Sequence, residues 1–215
     1  MRLTKSSWYV LALCAVSIGI SIAGYMTWPQ SVPIHWNFAG QADGYASAVL
    51  AALLYPGMLL AMFGLFRVLP SLDPNKERYA EFEQVYELFM VAIITVFFLI
   101  NVAAAIASWG YPVPIRLIVP GAVGVLFIVL GNYMGKLKRN YFVGVRTPWT
   151  LASENVWLAT QRFSGKLFVV CGLLFFLIPF LPQTVGIGLF VVCIAAMVFG
   201  SFVYSYMRYR EEGRE

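Results

Sequence analysis

Charged side chains are scarce in this sequence. Of its 215 residues, 12% are charged and 60% are hydrophobic, whereas a soluble domain carries about 25% charged and roughly 45–50% apolar residues. So little charge excludes the ordinary soluble class, and the composition indicates a membrane protein. A bilayer core about 30 Å thick requires roughly 20 apolar residues per helix, so the chain is long enough for about six spans.

Cysteine and histidine, the side chains that most often bind transition metals, are also few. The three cysteines lie inside apolar stretches, where small side chains pack between helices, and His35 is the only histidine. Neither a second histidine nor a pair of cysteines stands at ligand spacing. We therefore expect no metal site, and we expect Cys14, Cys171 and Cys193 to be packing residues rather than a disulfide set.

Enzyme and carrier signatures are missing as well. The sequence has no HExxH, no GxSxG and no phosphate-binding loop, and its acidic residues lie in connections or near the ends of apolar segments. We expect neither an enzyme nor a cofactor. Asn101 is the most polar residue deep in an apolar segment, and we expect it to make an interhelical hydrogen bond. Gly131 and Gly135 predict close helix packing.

Six apolar segments predict an all-α fold, a polytopic membrane helix bundle of about six transmembrane helices. The first segment is longer than the roughly 7–15 apolar residues of a secretory signal peptide, and no convincing cleavage site follows it. We therefore interpret it as a retained anchor. The segments cover residues 8–28, 48–69, 84–107, 116–135, 165–181 and 184–206.

Lysine and arginine are distributed asymmetrically among the connections. With six spans, only Arg116 of the 15 basic residues falls on the side of the first, third and fifth connections. Cytoplasmic loops are enriched in these residues. We therefore expect a multi-pass protein of the inner membrane with both termini in the cytoplasm. The first connection then faces outward, and the fourth faces the cytoplasm.

The outward connection, VPIHWNFAGQADGY at residues 32–45, contains the single histidine. Apolar and polar side chains alternate through its first half, a period of two that is typical of extended chain. Two glycines and Asp43 favour a turn in its second half. We expect a short extended segment or hairpin whose Trp36 and Phe38 enter the membrane interface, where aromatic rings are favoured.

Two interpretations of His35 are open. As a structural residue it would form hydrogen bonds that anchor Asn37 and the turn. As a recognition residue it would face water or a partner together with Asn37. A metal site made with Asp43 would be short of ligands, because one histidine and one carboxylate do not make a zinc site.

The cytoplasmic connection, KLKRNYFVGVRTPWTLASENVWLATQRFSGK, is the longest polar stretch. Thr147 and Pro148 predict a helix start, since threonine caps helices and proline suits the first position. From there to about Arg162, good helix formers with tryptophans and basic residues favour a helix in the inner membrane interface. The connection provides either a docking surface for a cytoplasmic partner or a structural closure of the inner face, and both alternatives are open.

Both connections resemble known signatures. PQSVPIHWNFAGQADGY is similar to the pattern P-x-H-W-N-x-x-G-x-x-D-x-Y of a domain of unknown function that recurs in bacterial membrane proteins. GNYMGKLKRNYFVGVRTPWTLASENVWLATQRFSGK resembles the signature of the SdpI family of bacterial membrane immunity proteins, with Arg139 where that pattern has lysine. The two stretches and their flanking spans cover most of the chain.

The resemblance implies a polytopic inner-membrane protein that gives resistance to a secreted, membrane-active toxin peptide. It also implies signal transduction, in which a toxin peptide is sensed outside and a repressor protein is sequestered inside, with no direct contact to nucleic acid. The outer recognition pattern falls on His35, Trp36, Asn37, Gly40, Asp43 and Tyr45. The inner pattern, for a partner or for structure, falls on Asn132, Asn140, Gly144, Arg146, Thr147, Pro148, Trp149, Thr150, Ser153, Trp157 and Gly165.

The expected domain organisation follows the two signatures. Residues 1–80 form an N-terminal two-span unit with the outer HWN loop, and residues 81–215 form an SdpI-like four-span unit with the inner RTPWT loop. The lipid bilayer is the expected partner of both. The alternatives to an immunity or sensor role are a small-molecule or peptide transporter and a membrane-embedded enzyme that uses the outer loop.

Overall fold

The computed structural model describes residues 3–213. Within that range, six helices are long and apolar enough to span a bilayer, which confirms an all-α, polytopic membrane helix bundle. The six helices cover Lys5–Thr27, Ala48–Leu72, Glu83–Ser108, Ile115–Met134, Glu154–Phe180 and Gln183–Glu212.

The first four of these are single α-helices, which we number α1 to α4 in chain order. The fifth combines α6 (Glu154–Phe175) with a short 3₁₀ turn at Ile178–Phe180. The sixth combines α7 (Gln183–Ala195), a π-helical stretch at Ala196–Gly200 and α8 (Ser201–Glu212). A break in the regular hydrogen-bond ladder therefore interrupts the last transmembrane helix near its middle.

A short helix, α5 (Pro148–Ala152), begins where the sequence predicts. Thr147 has an extended backbone, and its Oγ1 accepts a hydrogen bond from the N–H of Thr150 at 3.2 Å. The helix ends at Ala152 instead of continuing to about Arg162, so its predicted extent is wrong, whereas its place in the membrane interface stays a prediction. Ser153 is extended (φ −131°, ψ 134°) and caps α6, and the residues after it are the first turns of the fifth transmembrane helix.

The connection between α1 and α2 is a two-stranded antiparallel hairpin, which confirms the extended segment expected there. Its strands are β1 (Ser31–Trp36) and β2 (Ala42–Ser47). The register shifts on both sides of His35, which pairs with Gly44. We call residues 31–47 the hairpin from here on.

Contacts divide the chain into two compact units drawn from separate stretches of sequence. The first takes in the chain as far as Phe66 together with Met90–Ala122. The second takes in Arg67–Phe89 and the chain from Val123 onward. The hairpin belongs to the first unit. The sequence division expected near residue 80 stays a prediction.

Each unit has its own apolar core. One buried cluster of the first unit consists of Val10, Cys14, Leu59, Met90 and Ile94. A buried cluster of the second unit consists of Cys171, Phe175, Ile178, Cys193 and Met197. All three cysteines are free and buried, so their expected role as packing residues is confirmed.

Helix α1 buries its small residues and exposes its large ones. Bulky residues such as Trp8, Ile22 and Met26 are largely exposed in the protein, as expected for a helix face that contacts lipid. Small residues at a helix contact let two backbones approach closely, which drives association where water is absent. The buried positions of α1 are spaced by three and four residues: Ser7, Val10, Cys14, Ser17, Ser21 and Gly24.

The polar residue deep in α3 has the expected partner. Asn101 is buried, and its Nδ2 donates to the carbonyl oxygen of Tyr55 in α2 at 3.1 Å. A side-chain hydrogen bond between transmembrane helices is worth about 0.6 kcal/mol on average. The interhelical role predicted for Asn101 is therefore confirmed.

Candidate functional site

His35 and Asp43 form an exposed pair across the hairpin. His35 Nδ1 lies 2.6 Å from Asp43 Oδ1, and the side chains are 71% and 43% exposed. Gly44, opposite His35, leaves room for the imidazole, because a Cβ there would lie 2.8 Å from the His35 Cβ. The pair can present both a hydrogen-bond donor and an acceptor to a molecule in solvent.

Asn37 shapes the turn of the hairpin. Its Oδ1 accepts hydrogen bonds from the N–H groups of Ala39 at 3.0 Å and Gln41 at 3.1 Å, an Asx turn. Gly40 has φ +80°, and a Cβ there would lie 3.1 Å from the Cβ of Arg116. The turn therefore requires glycine at this position both for its backbone angle and for its close approach to α4.

The apolar face of the hairpin packs on protein. Val32 is fully buried, and Trp36 packs against the same cluster, which includes Trp28 and Tyr55. The Tyr55 hydroxyl donates to the carbonyl oxygen of Pro33 at 3.3 Å, which fixes β1 on α2. Trp36 is half-buried against this cluster and Phe38 is exposed, and the expectation that the two rings enter the membrane interface stays a prediction.

The six residues of the outer pattern divide into two groups. Trp36, Asn37 and Gly40 hold the hairpin in shape. His35, Asp43 and Tyr45 are exposed, and Tyr45 retains 61% of its accessible surface. Within the described chain no group of three His, Cys, Asp or Glu side chains converges, so the His35–Asp43 pair offers at most two metal ligands.

The fourth connection, residues 136–153, is called the signature loop below, and Asn140 organises its first half. The side chain is fully buried. Oδ1 accepts from the N–H groups of Phe142 at 2.9 Å and Val143 at 2.7 Å. Nδ2 donates to the carbonyl oxygens of Lys138 at 2.9 Å and Val143 at 3.1 Å. Every hydrogen-bonding position of this amide is used inside the loop, which assigns Asn140 a structural role.

The second half of the loop is fixed to α6 by Gln161. The Gln161 side chain is fully buried, with Nε2 donating to the carbonyl oxygen of Val145 at 2.8 Å. Its Oε1 accepts from the N–H of the same residue at 3.0 Å. Gly144 has φ +99°, and a Cβ there would lie 2.8 Å from Gln161 Oε1. Glycine is therefore required beside the amide.

Other members of the inner pattern are buried against the loop and α8. Trp157 is fully buried, and its Nε1 donates to the carbonyl oxygen of Leu137 at 2.8 Å. The Thr147 hydroxyl donates to Ser205 Oγ at 3.1 Å. The Thr150 hydroxyl, also fully buried, lies within hydrogen-bonding distance of backbone carbonyls. These side chains hold the loop in one conformation.

Asp73, which the sequence analysis did not single out, connects α2 to the signature loop. Its Oδ2 accepts from the N–H of Tyr141 at 2.8 Å and from the Tyr79 hydroxyl at 3.0 Å. Its Oδ1 accepts from the N–H of Asn75 at 2.8 Å. Burial and the hydrogen bond to Asp73 raise the pKa of Tyr79 above its usual range. The phenol therefore stays protonated and continues to donate.

Ion pairs join the second connection to the start of α6. The guanidinium of Arg78 binds both carboxylate oxygens of Glu154, at 2.6 and 3.0 Å. Arg139 Nε lies 3.7 Å from Glu154, and Lys138 Nζ lies 3.5 Å from Glu81. The hydrogen bonds with Glu154 raise the pKa of Arg78 further above its already high value. Glu154 in turn lies in the first turn of α6, where a negative charge is favoured.

Three members of the inner pattern remain accessible on the signature loop. Arg146 is exposed, and its Nη1 donates to the carbonyl oxygen of Tyr141 at 2.8 Å. Trp149 is half-buried, with its ring 4.9 Å from the rings of both Phe202 and Tyr206. Pro148 is also exposed, at the first position of α5. The surface of the loop thus offers the exposed guanidinium of Arg146 and the half-buried ring of Trp149.

The remaining two members lie on the transmembrane helices. Asn132 is exposed on α4, where its Nδ2 donates to the carbonyl oxygen of Ile128 at 2.8 Å. Gly165 packs directly on Gly131, since a Cβ at Gly165 would lie 2.4 Å from the Gly131 carbonyl oxygen. The close helix packing predicted from Gly131 is therefore confirmed.

Two comparisons with known proteins agree with this arrangement. Residues 136–205 match the model of the SdpI/YfhL protein family, and residues 12–60 match a domain of unknown function (DUF1648). Over 94% of both chains, the protein is 28% identical to the immunity protein SdpI of Bacillus subtilis (strain 168). No solved structure matches the chain.

The family match begins at the signature loop, includes α6 and runs into α8, the elements that the buried hydrogen bonds hold together. The second match spans the hairpin and parts of the two helices that flank it. The family model therefore matches the signature loop and most of the chain after it, and the similarity to an immunity protein extends along nearly the whole chain.

Proposed function

We propose that this protein is a membrane immunity protein, which protects the cell that makes it from a secreted, membrane-active toxin peptide. The observation that carries the proposal is the alignment with an immunity protein over 94% of both chains. An alignment of that extent includes the hairpin, the signature loop and all six spans rather than one shared module. The proposal assigns no enzymatic activity to the chain.

In the proposed orientation the hairpin lies outside an inner membrane, and both termini lie in the cytoplasm. The distribution of lysine and arginine supports it, since Arg116 is the single basic residue on the hairpin's side. The signature loop, with its ion pairs and exposed Arg146, then faces the cytoplasm.

The toxin would be recognised at the hairpin, through His35, Asp43 and Tyr45. Exposed polar and aromatic groups on a rigid support are well suited to recognition, because little conformational entropy is lost on binding. The support comes from β1, which the buried Val32 and the Tyr55 hydroxyl fix on the helices below.

A second part of the proposal is that the signature loop sequesters a repressor protein. Arg146 and Trp149 are the groups that such a partner would contact, because arginine and tryptophan commonly dominate interface energies. Trp157 is excluded from this contact by its complete burial. Signalling would further require two arrangements of the protein that the toxin binds with different affinity.

The proposal is tested by expressing the chain in a sensitive host and challenging it with a panel of purified membrane-active peptides. Survival and membrane potential are measured for the wild type, for a His35→Ala/Asp43→Ala/Tyr45→Ala triple variant and for Ser31→Ala, an exposed control on the same hairpin. We expect protection from the wild type and the control, and its loss in the triple variant. Equal protection by all three, at equal membrane levels, would rule out the hairpin as the recognition site.

The same preparations separate the proposal from its alternatives. A transporter would move a solute across proteoliposomes that contain the purified chain, and an enzyme would turn over a substrate in detergent. An immunity protein would instead preserve the membrane potential in the presence of the peptide without either activity.

A further inference from the structure

Helices α4 and α6 approach each other closely enough to leave a groove on the surface of the second unit. A Cβ at Gly131 would lie 2.5 Å from the carbonyl oxygen of Gly165, and a Cβ at Gly165 would lie 2.4 Å from the carbonyl oxygen of Gly131. A second contact of this kind follows further along, where a Cβ at Gly172 would lie 2.7 Å from the carbonyl oxygen of Gly124. The backbones therefore touch where side chains would otherwise fill the surface.

This depression, which we call the glycine groove, has a volume of about 540 Å³. Ligand pockets in proteins commonly measure about 300–1,000 Å³. The groove is lined by Gly131, Asn132, Gly135, Arg162, Gly165, Lys166, Val169 and Val170.

One end of the glycine groove is cationic. Arg162 and Lys166 lie one turn apart on α6, so their side chains share a face. The stem of Arg162 crosses Gly135, whose Cβ would lie 3.1 Å from the arginine Cγ. No carboxylate of the described part of the chain lines the groove. Neither cation has an ion-pair or hydrogen-bond partner in residues 3–213, whereas Arg78 and Arg139 of the same unit both contact Glu154.

The other end of the glycine groove is apolar. Val169 and Val170 continue along α6 in the direction of the membrane-spanning part of the helix. A molecule that filled the groove would therefore need a negatively charged group at one end and a hydrocarbon chain at the other. Cationic side chains near a membrane surface attract anionic lipids by about 1 kcal/mol each.

The charges around Arg162 favour the binding of an anion on one side of its side chain. Arg162 borders a second depression, whose lining includes Arg208 and the carboxylates of Glu211 and Glu212. The two carboxylates there offset the charge of the two arginines. Among residues 3–213 the glycine groove is lined by two cations and no carboxylate, so an anion that contacts Arg162 is favoured on the side of Lys166.

We propose that the glycine groove binds one anionic phospholipid, with its phosphate between Arg162 and Lys166 and an acyl chain along Val169 and Val170. The proposal goes beyond the immunity function and does not depend on it. The phosphate of a bound lipid would offset part of the positive charge of Arg162 and Lys166, which have no partner within residues 3–213. The lipid would also cover the backbone contact between Gly131 and Gly165.

The test uses the full chain purified in detergent and freed of native lipid. Native mass spectrometry measures the retention of dioleoyl phosphatidylglycerol, with dioleoyl phosphatidylcholine and inorganic phosphate as the comparison ligands. We expect one phosphatidylglycerol to be retained, and phosphatidylcholine and phosphate to bind at least tenfold more weakly.

Two sets of variants separate the cationic end from the apolar end. R162Q and K166Q should each weaken phosphatidylglycerol binding about fivefold, and the double variant about thirtyfold. Lys136, a cation on the same unit outside the groove, provides the charge-matched control K136Q. V170W should block the acyl chain without changing charge, and V192W, at an exposed valine of α7, is its control.

The outcomes decide the proposal in both directions. Weaker binding in R162Q/K166Q and V170W, with wild-type binding in both controls, supports a lipid site in the groove. Equal loss in K136Q would indicate nonspecific attraction and overturn it. The proposal would also be contradicted if inorganic phosphate bound as tightly as the lipid, because the groove would then be a site for free anions. Retention of the lipid by V170W would contradict it as well, because the acyl chain would not occupy the groove.

Discussion

Gln161 satisfies both backbone polar groups of Val145, donating to its carbonyl oxygen at 2.8 Å and accepting from its N–H at 3.0 Å. The side-chain amide of Gln161 makes the two hydrogen bonds that a neighbouring β-strand would make to the backbone of Val145. A fully buried side chain on α6 thereby fixes the backbone of a loop 16 residues earlier in the chain.

Removing this amide should destabilise the protein. Gln161→Leu keeps the approximate volume but leaves the N–H of Val145 without its acceptor, which costs about 1–3 kcal/mol when the group is buried. The carbonyl oxygen retains a hydrogen bond from the Thr150 hydroxyl. The measurement is the free energy of unfolding in detergent, with Gln84→Leu, at an exposed position of α3, as the matched control. A Gln161→Leu variant as stable as this control would refute the structural role.

The contact between Gly165 and Gly131 should tolerate no side chain. Gly165→Ala places a Cβ 2.4 Å from the Gly131 carbonyl oxygen, and overpacking of this kind costs about 1–3 kcal/mol. Gly188→Ala is the control, because open space surrounds that position on α7. It should leave the thermal unfolding midpoint unchanged or raise it, since alanine favours helix more than glycine does. Equal thermal unfolding midpoints for the Gly165→Ala and Gly188→Ala variants would contradict the close contact between Gly165 and Gly131.

The Arg78–Glu154 ion pair should couple the second connection to α6. In a double-mutant cycle with Arg78→Ala and Glu154→Ala, we expect a coupling energy of about 1 kcal/mol, at the upper end for accessible pairs because both oxygens are bound. Arg78→Lys should recover only part of it, since lysine cannot bind both oxygens in parallel. The coupling should shrink in high salt. Additive effects of the two single substitutions would show that the pair contributes nothing.

Asn37 should act through the turn rather than by direct contact. Asn37→Asp keeps the oxygen that accepts from Ala39 and Gln41, whereas Asn37→Ala removes it. We therefore expect Asn37→Asp to retain protection against the toxin and Asn37→Ala to lose most of it. The measurement is cell survival under challenge with the toxin peptide, with the variants present in the membrane at equal levels. If both variants lost protection equally, the Asn37 side chain would have to touch the toxin.

The sequence predicts the elements that depend on local chemistry. The six spans follow from apolar length, the hairpin from alternation and turn residues, and the start of α5 from Thr147 and Pro148. The hydrogen bond of Asn101 follows because a polar group in a span requires a partner. In the first three cases the cause lies within a few residues of its effect. For Asn101 the sequence predicts that a partner exists but does not identify Tyr55, which lies 46 residues away.

The sequence does not predict the contacts that join distant segments. Asp73 meets Tyr141 across 68 residues, and Arg78 meets Glu154 across 76. Nothing within either segment identifies such a partner. The D-P-N stretch at residues 73–75 could have indicated the Asx turn at Asp73, but not its second bond to the signature loop.

The error in the extent of the predicted helix after Thr147 has a similar origin. Tryptophans beside basic residues are typical of a membrane interface, and the same composition suits a capped helix start that is buried by other segments. Contacts of Trp157 with Leu137 and of Gln161 with Val145 bury both side chains in the first turns of α6. Both contacts are tertiary, so local composition could not separate the alternatives.

The most direct test of the account is the side of the membrane on which the hairpin lies. In a chain whose three native cysteines are changed to alanine, Ser31→Cys marks the hairpin and Ala152→Cys marks the signature loop, both at exposed positions. A membrane-impermeant maleimide is then applied to intact cells and to permeabilised cells. The account predicts labelling of the Ser31→Cys variant in intact cells and of the Ala152→Cys variant only after permeabilisation. The reverse pattern would contradict it, because a toxin arriving from outside could not reach the hairpin.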